Sequence, residues 1–113
     1  MAKELKPNAL TLHNLWFGSG GVVGERLDLS GANLDKIDFS YASFYGALFI
    51  EAVFTDAELI EAILIRTRFT NADLRFARFD GADFNGADFS WAKNLDKAIW
   101  PKGWRLVKEE DND

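Results

Sequence analysis

The sequence predicts an all-β solenoid, a chain wound into stacked coils around its own apolar side chains. Two observations carry that prediction. Leucine or phenylalanine occupies every fifth position from Leu29 to Phe89 without exception. Alanine stands two residues earlier in ten of these thirteen units, the exceptions being Leu27, Ile37 and Thr67. Neither regular element accommodates the spacing. Five residues of α-helix rotate a side chain by about 140°, so the apolar positions would spiral around the helix. A continuous strand has period 2, so Leu29 and Leu34 would face opposite ways. The period closes only if the chain turns once per unit. Within Ala82-Asp83-Phe84, alternation then points Ala82 and Phe84 inward and Asp83 outward. The residues that follow turn a corner, where Gly31, Gly46, Asp56, Asn71, Gly81 and Gly86 tolerate the geometry.

Units such as Ala32-Asn33-Leu34-Asp35-Lys36, Ala72-Asp73-Leu74-Arg75-Phe76 and Ala82-Asp83-Phe84-Asn85-Gly86 resemble the pentapeptide-repeat family, with its motif A-(D/N)-(L/F)-x-x. The resemblance runs over roughly residues 27 to 92. It implies a right-handed quadrilateral β-helix with four units to a coil and about three coils. On that winding the core forms four columns: Leu29, Phe49, Phe69 and Phe89; Leu34, Phe54 and Leu74; Phe39, Leu59 and Phe79; Phe44, Leu64 and Phe84. Burying each Leu or Phe contributes roughly 1.5–3 kcal/mol. Alanine beside them keeps the coil narrow, and a larger residue there would overpack it.

The expected β-helix covers residues 25–95, and both of its ends need a cover. Residues 1–24 lack the period and are expected to supply an N-terminal cap and a glycine-rich connector. Asn8 to Phe17 reads as a short helix stopped by Gly18, with Leu12, Leu15 and Trp16 on one face. It would lie over Leu27, Leu29, Leu34 and Ile37. Near residue 94 the beat slips, Leu95 arriving one position late. Residues 96–113 then read as a C-terminal cap with Ile99, Trp100 and Trp104, followed by an acidic tail, Glu109 to Asp113.

Composition narrows the chemistry. The 113 residues carry 13 Lys and Arg against 18 Asp and Glu, a net charge of -5, with no cysteine and one histidine, His13. Thiolate chemistry and sulfur-based zinc sites are excluded, and no set of imidazoles exists for a metal or a relay. A packed or solvent-facing role is expected for His13. An acidic chain offers no clustered positive charge for nucleic acid or anionic lipid. No apolar run reaches the roughly 18 residues of a membrane span, and the N-terminus lacks a signal-peptide core, so a cytoplasmic protein is expected. Gly18-Ser19-Gly20-Gly21 fits no phosphate-binding loop. Carboxylates work as catalysts in a cleft, and a coil filled by its own Phe and Leu provides none. The reading is a protein without catalytic residues, cofactor, metal or small-molecule substrate.

Function in a solenoid lies in its outward positions. Around the first coil these are Asp28, Ser30, Asn33, Asp35, Asp38, Ser40, Ser43 and Tyr45; around the second, Leu48, Ile50, Val53, Thr55, Glu58, Ile60, Ile63 and Ile65. Six of the second set are apolar. Tyr45, Leu48, Ile50, Ile63 and Ile65 fall on adjacent faces and form a candidate interface for a protein partner or a second copy, as in a homodimer. The competing reading is an internal cover supplied by Trp16, Phe17, Trp100 or Trp104. Arg66, Arg68, Arg75 and Arg78 are read as solvated side chains paired with Asp73, Asp80 or carboxylates of a neighbouring coil, not as an anion site.

Some members of the family that the sequence resembles imitate DNA and protect type II topoisomerases such as DNA gyrase. A rod of about three coils at ~4.8 Å is only ~15 Å long. Duplex of that length carries roughly nine phosphate charges, whereas residues 25–95 hold twelve acids and seven bases. One copy is a poor mimic and a dimer a better one. A non-catalytic interaction or structural module is therefore the expected function, with the DNA mimic as its alternative.

Overall fold

The computed structural model describes residues 3–104; the acidic tail, Glu109 to Asp113, lies outside the described residues. Parallel bridges tie residues twenty apart, from Asp28–Leu48 and Asn33–Val53 through to Asp73–Lys93, so each five-residue unit pairs with the fourth unit after it. From Asp28 through Asp88 the bridged residue is the one before the central Leu or Phe.

In each unit of the second coil four of the five backbone amides donate to a backbone carbonyl. In the first unit the Leu29 and Gly31 amides donate to Leu48 and Ile50 carbonyls of the next coil, at 2.9 and 2.8 Å. The Leu48 amide donates back to the Leu27 carbonyl at 3.0 Å, and the Ala32 amide closes the corner on the Leu29 carbonyl at 3.0 Å. The corner bond recurs in every unit through Ala92 to Phe89. It demands a positive φ two residues after the central one, as in a type II turn. All thirteen corner residues comply, nine of them without being glycine: Lys36, Tyr41, Glu51, Asp56, Glu61, Arg66, Asn71, Phe76 and Trp91, with φ of 54–66°. Regular hydrogen bonding on both sides holds these residues where an L side chain costs roughly 1–2 kcal/mol. At Gly31, φ is 76° and nothing lies within 4 Å of an added Cβ. Gly31→Ala therefore isolates the backbone cost, and a loss of about 1 kcal/mol is expected in urea unfolding.

Inside, eleven of the thirteen central residues are buried, from Leu29 through Phe79. Phe84 and Phe89 are only half-buried against this cluster, because no fourth coil lies beyond them. Rings interlock along the axis: Phe69 stacks on Phe49 at 5.4 Å and on Phe89 at 5.0 Å between centroids. The alanine column is buried from Ala47 through Ala77. Thr67, the polar departure from it, is fully buried and donates its hydroxyl to the Phe44 carbonyl at 2.8 Å.

Helix α1 (Ala9–Gly18) packs on the start of the coil. The expected inward face of Leu12, Leu15 and Trp16 is rotated: Leu15 is 49% exposed, and the fully buried residue of α1 is His13, flanked by Ala9 and Leu10 against the core. Gly18 is the last residue of the helix rather than its stop, and Ser19 caps it, with the Gly21 amide reaching the Trp16 carbonyl at 2.8 Å and the Gly20 amide that of Phe17 at 3.1 Å. This paired arrangement is a Schellman closure. Gly24 then lets the chain press against the helix. A Cβ there would sit 2.4 Å from the Leu12 carbonyl oxygen and 2.4 Å from the Trp16 nitrogen.

At the other end the slip at Asn94 is a one-residue insertion rather than a stop. Asn94 is left-handed (φ 61°), Leu95–Lys97 forms a single 3₁₀ turn, and Arg78 bridges Ile99, twenty-one residues on. Trp100 then lies flat on Phe79 at 4.8 Å, edge-on to Phe84 and Phe89, its indole nitrogen donating to the Leu95 carbonyl.

Candidate functional site

The coils differ in how they treat the position before the central residue. In the first coil the Asp28, Asn33 and Asp38 side chains each accept from the amide two residues on, at 3.0 Å. Asp73, Asp83 and Asp88 do the same further along. That amide is the one donor that neither the ladder nor the corner uses. The Ser40 amide holds the Asp38 carboxyl below its ordinary range, and the Ser90 hydroxyl, with the Ser90 amide second, does the same for Asp88. Burial pushes Asp28 upward, but bonds from Lys3 and Ser30 outweigh it and bring the group down to about 2.

The second coil abandons this device. Leu48 and Val53 stand where the first coil has Asp28 and Asn33, Ile63 where it has Ser43, and Glu58 where it has Asp38. Among the described residues the Ile50, Thr55, Ile60 and Ile65 amides donate to no protein acceptor. The apolar side chains instead form a band one coil wide, all of them half-buried. Leu48 is bridged between Asp28 and Arg68, and Ile63 between Ser43 and Asp83, so polar residues border the band on both sides.

Of the aromatics expected as internal cover, Phe17 stacks on Tyr45 at 4.1 Å and Trp16 lies by Gly46. Trp100 and Trp104 are occupied at the opposite end, against Phe79 and Phe84. The helix thus reaches one corner of the candidate interface, Tyr45. Leu48, Ile50 and Ile63 lie farther around the coil, and Ile65 borders a cleft.

That cleft, of about 570 Å³, brings Arg26, Arg66 and Arg68 to one place beside Trp16, Tyr45 and Ile65. Arg26 crosses the Trp16 ring at 5.2 Å and donates from Nε to the Gly46 carbonyl at 2.7 Å. The four arginines read from the sequence as one solvated group therefore divide. Arg78 pairs with Asp80 at 3.1 Å, and Arg75 lies over the Phe76 ring at 5.1 Å. Arg66 and Arg68 make no ion pair among the described residues, although Asp88 feels the Arg68 charge. A sequence signal for the cleft exists. Positions 26, 46, 66 and 86 share one column at the twenty-residue spacing, and glycine at 46 leaves a gap between two arginines.

Among the described residues no group of three His, Asp or Glu side chains is placed to hold a metal ion, and no helix is long and apolar enough to cross a membrane. His13 accepts the Leu27 amide on Nδ1 at 2.9 Å. That bond serves the fold.

A chain that pairs with itself every twenty residues and turns every five is a β-solenoid of the quadrilateral kind. Comparison with family models identifies pentapeptide repeats, eight copies, over residues 26–56 and 52–90. The chain belongs to the pentapeptide-repeat family, whose fold is the right-handed quadrilateral β-helix. Similar solved structures include a pentapeptide repeat protein from the cyanobacterium Cyanothece 51142, at 24% identity and a TM-score of 0.34, over 66% of this chain and 61% of that one. QnrB1, a plasmid-mediated fluoroquinolone resistance protein, is 26% identical with a TM-score of 0.37, over 61% of this chain and 52% of its own. A pentapeptide repeat protein from Nostoc Pcc 7120 is 22% identical with a TM-score of 0.40, over 85% and 87%. The chain spans less than two thirds of the first two structures it matches. No curated protein matches it.

Proposed function

We propose that this chain is a non-catalytic interaction module of the cytoplasm: about three coils of β-helix, capped by α1, that dock a protein through the apolar band of the second coil. Tyr45, Leu48, Ile50, Ile63 and Ile65 are the contact residues, and the partner is either another protein or a second copy. The observation that supports this reading is the run of Leu48, Val53 and Ile63 in one coil alone, at positions where the coils on either side carry Asp, Asn, Ser or Arg. It forfeits side chain–backbone bonds of about 0.5–1.5 kcal/mol each, and the core is complete without the outward side chains. A gyrase-protecting DNA mimic has less support, since Arg66, Arg68, Arg75 and Arg78 interrupt the acidic surface.

Light scattering after size exclusion, across a wide concentration range, tests the band together with a melting curve. Ile63→Asp restores the family motif. It is expected to leave the melting temperature unchanged or raised, and to abolish whatever association the unsubstituted chain shows with itself or with a partner. A melting temperature lowered by many degrees would make Ile63 a residue of the fold, and the interface reading would fall.

A further inference from the structure

We propose that the cleft between α1 and the second coil is an acceptor for an acidic peptide segment of a partner, its carboxylates held by Arg26, Arg66 and Arg68 and an adjoining apolar side chain seated on Ile65. The inference rests on the docking role given above to the apolar band, and it specifies the partner's chemistry at one end of that band.

Charge complementarity is the first argument. The chain carries a net charge of -5, yet three arginines line one cleft of about 570 Å³. Arg26 is pre-positioned by Trp16 and by the Gly46 carbonyl, which fixes the direction of its fork before any ligand arrives. The Arg66 stem lies 3.3 Å from where a Cβ on Gly86 would stand, so glycine at that corner leaves the stem a bed. Guanidinium forks favour planar carboxylates, and the pairing strengthens with pre-organisation.

Continuity is the second argument. Ile65 belongs both to the cleft and to the apolar band, directly below Tyr45 in its column. A segment alternating acidic and apolar residues would satisfy both surfaces with one extended stretch. A nucleic-acid strand fits less well. It has no apolar side chain to seat on Ile65, and its unbroken charge would meet Asp83 and Asp88, which stack on Ile63 and Arg68, where like charge opposes binding.

Fluorescein-labelled short peptides test the proposal by polarisation with the intact chain: one alternating Asp and Leu, one alternating Lys and Leu, one alternating Asp and Ser. Single-stranded DNA of similar length serves as competitor. The Asp–Leu peptide is expected to bind best and to weaken as salt rises. Arg66→Glu with Arg68→Glu is expected to weaken it about tenfold or more, while Arg75→Glu, outside the cleft, leaves it unchanged. Equal or stronger binding of the Lys–Leu peptide, displacement by DNA at lower concentration than by unlabelled Asp–Leu peptide, no binding of any peptide, or indifference to the Arg66 and Arg68 changes would each overturn the proposal. Ile63→Asp separates the two readings. If it abolishes partner association while the arginine changes do nothing, the interface stands and the acidic-peptide cleft falls.

Discussion

Phe69→Ala is expected to destabilise the chain by about 3–5 kcal/mol, whereas Phe84→Ala should cost less than half of that. Both residues occupy the same repeat position, so sequence alone ranks them equally. Phe69 is fully buried and touches four other rings: Phe49 at 5.4 Å, Phe54 at 5.5 Å, Phe79 at 6.1 Å and Phe89 at 5.0 Å. Its surroundings cannot collapse into a cavity, because ladders above and below fix the backbone: Phe69 donates to Asp88, and Phe49 donates to Arg68. Phe84 is half-buried under Trp100 and Trp104, and these neighbours can shift. Denaturant midpoints of the two variants, compared at equal slope, measure the difference. Similar losses would mean that the last coil is packed as rigidly as the middle one.

The period of five made the buried columns legible, because an inward residue once per corner is the only way such a spacing can stay on one side of a backbone. Corner geometry was legible where glycine, Asp56 or Asn71 stood. It was hidden at Tyr41, Phe76 and Trp91, which take the left-handed conformation because the ladder demands it and not because their side chains favour it. The apolar outward residues of the second coil could be read from sequence; the loss of the amide-capping bonds behind them needed coordinates. Arg26, Arg66 and Arg68 come from units far apart in the chain, and only the twenty-residue winding unites them. His13 was the least legible of all. It lies outside the repeat, so no period marks which face of α1 it occupies, and helical spacing favoured Leu12, Leu15 and Trp16 instead.

That histidine sets the second large expectation, a loss of α1 docking as pH falls. Burial is the main force lowering the His13 value, with the Arg26 charge acting in the same direction and the Tyr45 backbone opposing them. Trp16 stacks on the ring at 5.5 Å, and Nε2 finds no hydrogen-bond partner among the described residues. The folded chain therefore keeps a neutral imidazole, while the unfolded chain takes up a proton near the ordinary value of 6.5. More protons on the unfolded state means that stability rises with pH. The His13 contribution is complete above about 6.5 and is lost progressively as pH drops below it, ahead of the carboxylates, of which Asp28 titrates only at about 2. The structural reason is specific. Nδ1 accepts the Leu27 amide at 2.9 Å, and a protonated ring would set a donor against that donor, at a cost of about 1–3 kcal/mol. Hydrogen exchange at the Leu27 amide, with Trp16 fluorescence alongside, should show protection fading as pH falls below about 6.5. His13→Asn offers a side-chain acceptor that does not titrate. It should keep protection at neutral pH and flatten the acid slope. An acid slope of equal size in that variant would place the sensitivity elsewhere and leave His13 as a packing residue alone.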